Sequence, residues 1–214
     1  MVESQSAVYA RLTAALHELA GRLNGSPEVW LLGGSSGLWL QGVPLEAPPR
    51  DVDIFADAEA VHILHERLSS LATDKPVYDR NECYASLLSH YQLDELEVEM
   101  VGGFEIRTSR AHYRTEVNEL LAGASHQVVL EKRVIQVMPL AHEFVFNLLR
   151  ERHDRYLPIA AVMRKEPDRH LPLLLELLKR NAWTSDLVGR MAELLDRPLL
   201  SQPWREYHGE KNED

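Results

Sequence analysis

A chain of 214 residues, 45% of them apolar, is long enough to bury a core of its own and suits one domain, or one with a small helical extension. Its formal charge of −10, from 33 acidic against 23 basic residues, opposes general attraction to a nucleic-acid backbone and favours a small partner, cationic molecules included. One cysteine, Cys83, excludes an internal disulfide; with no charged-then-apolar leader and no apolar run of membrane-spanning length, a cytoplasmic protein is expected.

In chain order, Leu12, Leu16, Leu19 and Leu23 recur at helical spacing, which predicts a helix over Val8 to Leu23 ended by Asn24-Gly25. Val29 to Leu32 reads as a short buried strand that Gly33-Gly34 terminates, and Ser35 or Ser36 suits the cap of a short helix through Leu40. Gly42 to Pro49 is a loop. Val52, Ile54 and Phe55 mark a second strand, followed by a helix from Ala58 to Leu71 with Asp57 and Glu59 at its positive end. Tyr84 to Gln92 and Leu96 to Ile106 form a hairpin about Asp94-Glu95.

A second hairpin joins Val128–Leu130 to Val134–Met138 across the polar Glu131-Lys132-Arg133. After Pro139 the pattern is helical: Leu140 to Arg155, Ile159 to Arg164, Asp168 to Asn181 with Asp168 as cap, and Ser185 to Leu195, followed by a polar tail from Gln202 to Asp214. The expected architecture is therefore an α/β (α+β) fold, a mixed sheet with flanking helices over residues 1–138 and a helical region over residues 139–214.

The chemistry concentrates between residues 31 and 57. Asp51 and Asp53 lie two apart on a strand, so both carboxylates leave one face about 7 Å apart while Val52 points to the other. Like charges so placed repel unless a cation sits between them, and magnesium is commonly held by one or two carboxylates together with substrate phosphates. Gly33 and Gly34 let backbone approach a phosphate, Ser35 and Ser36 add hydroxyl donors, and Arg50, beside the acidic pair, adds a cation that could contact the triphosphate, which makes these five the expected nucleotide-binding residues. A metal-bound phosphate would answer to both halves.

Gly33-Gly34-Ser35, a helix, a loop and then Asp51-Val52-Asp53-Ile54 resemble the signature of the nucleotidyltransferase superfamily, the fold of DNA polymerase beta, the CCA-adding enzymes and the lincosamide and aminoglycoside nucleotidyltransferases. The resemblance covers roughly Glu28 to Gly103. It implies transfer of a nucleoside monophosphate from a nucleoside triphosphate (ATP among them) to a hydroxyl acceptor with two magnesium ions, for which manganese would substitute. It also implies a third carboxylate on a later strand. In "LEVEMVGG" that role falls to Glu99, with Glu97 as second candidate. Three departures stand out: sixteen residues between Gly34 and Asp51, a glutamate where aspartate is commoner, and only Arg152 and Asp154 in place of a Lys-Asp pair in the helical part.

Each residue also has a plainer role. A Gly-Gly after a strand can be only a turn, Asp-x-Asp a solvated strand end, Glu97 and Glu99 the wet face of a hairpin, and Arg50 a local counter-charge. Trp30, Trp39 and Phe55 suit core packing. It is their order and spacing that argues for one site. The expected function is thus a metal-dependent nucleotidyltransferase acting on a small hydroxylated acceptor. The alternatives are a catalytically silent member of the fold serving as a binding protein or toxin-antitoxin partner, and modification of a protein or a tRNA end.

Overall fold

The computed structural model describes residues 5–201 and Trp204. Helix α1 (Gln5–Leu23) leads into β1 (Leu31–Gly33), α2 (Gly34–Leu40) and β2 (Asp51–Ala56). Then come α3 (Val61–Leu68) with a 3-10 turn at each end, β3 (Val77–Arg80), β4 (Tyr84–Leu93), β5 (Leu96–Arg107) and β6 (Ala111–Arg114). A π turn at Val117–Leu121 precedes β7 (His126–Leu130) and β8 (Arg133–Val137). Helices α4 (Leu140–Leu149), α5 (His153–Met163) and α6 (Pro167–Arg180), the short β9 (Ala182–Trp183) and α7 (Ser185–Leu195) complete it.

The strands form one mixed sheet in the order β3-β4-β5-β2-β1-β8-β7, with β6 on the far end of β5 and β9 beside it. The β1·β2 pair is antiparallel, while β2·β5 and β1·β8 are parallel. Alternation along β2 divides the core. Val52, Ile54 and Ala56 face α1 and α3, joining Leu12, Leu16, Leu19 and Leu64, whereas Phe55 faces the opposite layer with Phe144, Ile159, Leu174 and Met191. The helices after residue 139 therefore cover the second face of the same sheet, and the core runs across the 138/139 boundary. Both layers bury whole leucines, each contributing about 1.5–3 kcal/mol. No helix among the described residues is long and apolar enough to cross a membrane.

Local chemistry explains where observation and expectation part. The two hairpins turn on Asp94 and on Glu131-Lys132, all with positive φ, as two-residue loops require. Neither serine caps α2; Gly33 stands at the N-cap with no side-chain hydrogen bond, and both serines lie inside the helix. Asp57 stands at the N-cap of the 3-10 turn that leads into α3, as an acid at that end suits, but its carboxylate is spent elsewhere, accepting the Val117 and Asn118 N–H groups at 2.8 and 2.9 Å. The helix expected over Leu140 to Arg155 breaks earlier, because Glu151 adopts φ 56 and ends α4, so that α5 begins at His153. Pro158 is the sixth residue of α5 and leaves the Asp154 carbonyl without its i→i−4 donor, yet the helix continues through it to Met163. Glu166, not Asp168, is the N-cap of α6. Strands β3, β6 and β9 were not anticipated; each is four residues or shorter. The tail from Gln202 to Asp214, Trp204 excepted, lies outside the described residues. Trp30 and Phe55 are buried as expected, and Trp39 is partly buried and stacked on Tyr9 with ring centroids 4.7 Å apart.

Candidate active site

Strand register assembles the acids. Gly33 pairs with Asp53, Asp53 with Glu99, and Glu99 with His90, so four neighbouring strands place these residues in one row. Asp51 and Glu97 form the next row. By strand alternation Asp51, Asp53, Glu97 and Glu99 all point to the face covered by α4 and α5. Gly34 has φ +58, which favours glycine, and a Cβ there would overlap the Asp53 carboxylate. A Cβ on Gly33 would meet the Phe55 ring. The two glycines are thus required by what lies against them.

A cavity of about 430 Å³ opens over this row. Gly34, Ser35, Asp51, Asp53 and Glu99 line its sheet side, Arg150, Arg152 and Arg155 its helical side, and Asp79, Asn81, Tyr84 and Phe104 one end. The Asp53 carboxyl still meets some solvent, yet it is pushed up to about 7, first by burial and then by the charges of Asp51 and Glu99, with Arg150 and Arg155 opposing. Arg152 is bound bidentately by Asp154 at 3.0 and 2.8 Å, while Arg150 lies over the Phe146 ring at 4.9 Å and one buried nitrogen of Arg155, Nη1, has no hydrogen-bond partner. An anion among these arginines would satisfy that nitrogen.

The expected residues divide. Asp51, Asp53, Glu99, Gly34 and Ser35 line the cavity. Ser35 Oγ donates to Asp51 Oδ1 at 3.2 Å, and the buried Ser36 turns inward to the Asp51 carbonyl at 2.7 Å. Gly33 lies behind the turn. Glu97 and Arg50 are exposed and do not line the cavity, which leaves Glu99 as the inward carboxylate of the two. Of the Arg152-Asp154 pair only Arg152 reaches it. Among the described residues no three His, Cys, Asp or Glu side chains form a ready-made metal cage. The donors nonetheless suit a hard cation: they are carboxylate oxygens on adjacent strands, and Arg150 and Arg155 relieve their repulsion at Asp53 only in part.

Four contributors escaped the sequence reading. Arg150, Arg155 and the buried Glu143 come from helices about a hundred positions downstream. Glu143 Oε1 accepts the Gly34 N–H at 2.9 Å and Oε2 accepts Asn147 Nδ2 at 3.2 Å; burial, aided by the Asp53 charge, pushes its carboxyl up to about 8. His90 contacts Asp74 at 2.6 Å through Nδ1 and stands 3.5 Å from Glu99 Oε2 through Nε2. Its pKa is raised, chiefly by that Asp74 contact.

No family model matches the chain, and no curated protein does. Solved structures do. A protein of Thermotoga maritima provisionally assigned as a nucleotidyltransferase superimposes with a TM-score of 0.57 at 23% identity, over 72% of this chain and 91% of that one. The antibiotic-resistance factor ANT(2″)-Ia, solved with adenylyl-2″-tobramycin, gives 0.46 at 10% identity over 77% and 95%. The lincosamide antibiotic adenylyltransferase LnuA, solved with lincomycin, gives 0.41 at 12% over 62% and 84%. The Thermotoga likeness establishes the fold: this chain has the mixed α/β architecture of a nucleotidyltransferase.

Proposed function

We propose that the chain is a metal-dependent nucleotidyltransferase that moves a nucleoside monophosphate from a nucleoside triphosphate to a hydroxyl of a small acceptor and releases pyrophosphate. The observation that carries this reading is the row of Asp53 and Glu99, with Asp51 beside it, against a left-handed glycine and across a cavity from three arginines. Asp51, Asp53 and Glu99 would hold magnesium. Two such ions would neutralise phosphate charge and lower the pKa of the acceptor hydroxyl.

The chain's own residues supply position and charge. Arg150 and Arg155 face the acids, so a triphosphate lying between the two sets meets donors on one side and metal-binding oxygens on the other. Ser35 steadies Asp51. The end formed by Asp79, Asn81, Tyr84 and Phe104 offers a carboxylate, an amide and aromatic faces to an acceptor, a lining suited to a hydroxylated, cationic small molecule. In the transfer the acceptor oxygen bonds to the α-phosphorus, the bond from that phosphorus to the bridging oxygen breaks, pyrophosphate leaves with the electron pair, and the hydroxyl proton passes to solvent water. Much of the acceleration is then positioning and charge neutralisation. A cavity of about 430 Å³ and a charge of −10 favour a small acceptor over a tRNA end.

The test is pyrophosphate release from each nucleoside triphosphate with magnesium and a panel of hydroxylated small molecules, amino sugars included. Acceptor-dependent release that disappears in Asp53→Asn supports the reading. Release that is the same in both would contradict the role given to Asp53, and none with any acceptor would leave the fold as a silent binding module.

A further inference from the structure

Among the described residues Glu143 is the one carboxylate lining the cavity from the helical side, and it is 1% exposed. One of its oxygens is spent on Gly34 N–H at 2.9 Å, a contact spanning 109 residues, and the other on Asn147, which also donates to the Glu143 carbonyl at 2.8 Å. Room for this comes from Gly33, where a Cβ would stand 3.1 Å from Glu143 Oε1. On its other side Gly34 presents a bare Cα to the Asp53 carboxylate. A continuous bracket therefore runs from Asn147 through Glu143 and Gly34 to Asp53. The N–H at the centre of the turn, which a phosphate oxygen would otherwise take, is already engaged.

We propose that Glu143 is a positioning residue of the transferase site: by holding Gly34 N–H it fixes the left-handed glycine against Asp53 and so sets where Asp53 stands, leaving the triphosphate to Ser35 and the arginines. The proposal rests on the transferase reading for its catalytic consequence, though the bracket itself does not. What the bracket needs is an acceptor oxygen, which an un-ionised carboxyl or an amide also provides. Burial pushes the Glu143 carboxyl up to about 8, in keeping with such a role.

Glu143→Gln and Glu143→Ala separate this role from plain stabilisation. Two readouts serve: hydrogen-exchange protection of the Gly34 amide, and kcat and KM for the triphosphate. Glu143→Ala should lose Gly34 protection and kcat by about tenfold or more each, with KM changed less than about threefold, whereas Glu143→Gln should restore most of both. Wild-type kcat in folded Glu143→Ala overturns the proposal. So does a Glu143→Gln that keeps Gly34 protected yet falls as far in kcat as alanine, since the carboxylate would then act as a base. If Glu143→Ala does not fold, Asn147→Leu frees one carboxyl oxygen without stranding the Gly34 N–H. Weaker protection with lower kcat supports the bracket, and no change in either overturns it. Should wild type itself transfer nothing, the transferase reading fails, and manganese affinity decides the bracket. Manganese bound by wild type and Glu143→Gln but about tenfold more weakly by Glu143→Ala supports it; equal affinity in all three overturns it.

Discussion

Replacing Asp53 with asparagine is expected to raise the melting temperature of the metal-free protein while abolishing transfer. The Asp53 carboxyl has a pKa of about 7 in the fold against 3.8 when unfolded. An acid shifted upward stabilises the fold fully below its unfolded pKa and loses that contribution as pH rises through the folded value. At about 1.4 kcal/mol per pKa unit, holding Asp53 ionised at pH 8 costs at most about 4 kcal/mol, whereas at pH 5 the folded carboxyl is protonated and the cost falls to roughly 1–2 kcal/mol. Asparagine keeps the shape and polarity but carries no charge, so it relieves a part, roughly half. For a chain of this size about 2–4 °C accompanies each kcal/mol. In chelator the variant should therefore melt roughly 4–8 °C above wild type at pH 8 and only about 1–3 °C above it at pH 5, measured by scanning calorimetry. Magnesium with nucleoside triphosphate should reverse the order, because only wild type gains the full binding energy. A variant that melts below wild type at pH 8, or an advantage that does not shrink at pH 5, would refute the reasoning and make Asp53 an ordinary strand residue.

Gly34→Ala should cost about 1–2 kcal/mol for the left-handed backbone and push Asp53 aside. Its melting temperature should fall by a few degrees, and its transfer rate by far more than the lost stability explains. Ser35→Ala, which removes a hydroxyl held to Asp51 at 3.2 Å, should weaken triphosphate binding in magnesium by about 0.5–1.5 kcal/mol, read by calorimetry; unchanged affinity would place the phosphates elsewhere. Arg155→Met should raise the triphosphate dissociation constant about 10- to 100-fold, the worth of a charge-assisted hydrogen bond, with little change in the melting temperature of the free protein. An equal loss of affinity in Arg50→Met, at an exposed position outside the cavity, would contradict the arrangement.

What the sequence disclosed of the site was its local half. The strand, glycine turn, helix and Asp-x-Asp strand are contiguous, and period-2 alternation alone put Asp51 and Asp53 on one face. Even the partner of Glu99 was within reach: a two-residue turn at Asp94-Glu95 fixes the hairpin register and sets His90 opposite it. Glu143, Arg150 and Arg155 were hidden for a different reason. Glu143 stands in "LAHEFVF", which reads as an apolar helix, and nothing local shows that the helix will close over Gly34. The break at Glu151 was equally silent, since a non-glycine residue in the left-handed region leaves no compositional mark. The helix in turn runs through Pro158, where the expected elements Leu140 to Arg155 and Ile159 to Arg164 left a gap.

The measurement closest to the central claim is a calorimetric titration of wild type with a non-hydrolysable nucleoside triphosphate, once with magnesium and once with chelator. The account predicts saturable binding with magnesium and none measurable without it, because a triphosphate would otherwise meet Asp51, Asp53 and Glu99 unscreened. Equal affinity in the two conditions, or no binding in either, would contradict it.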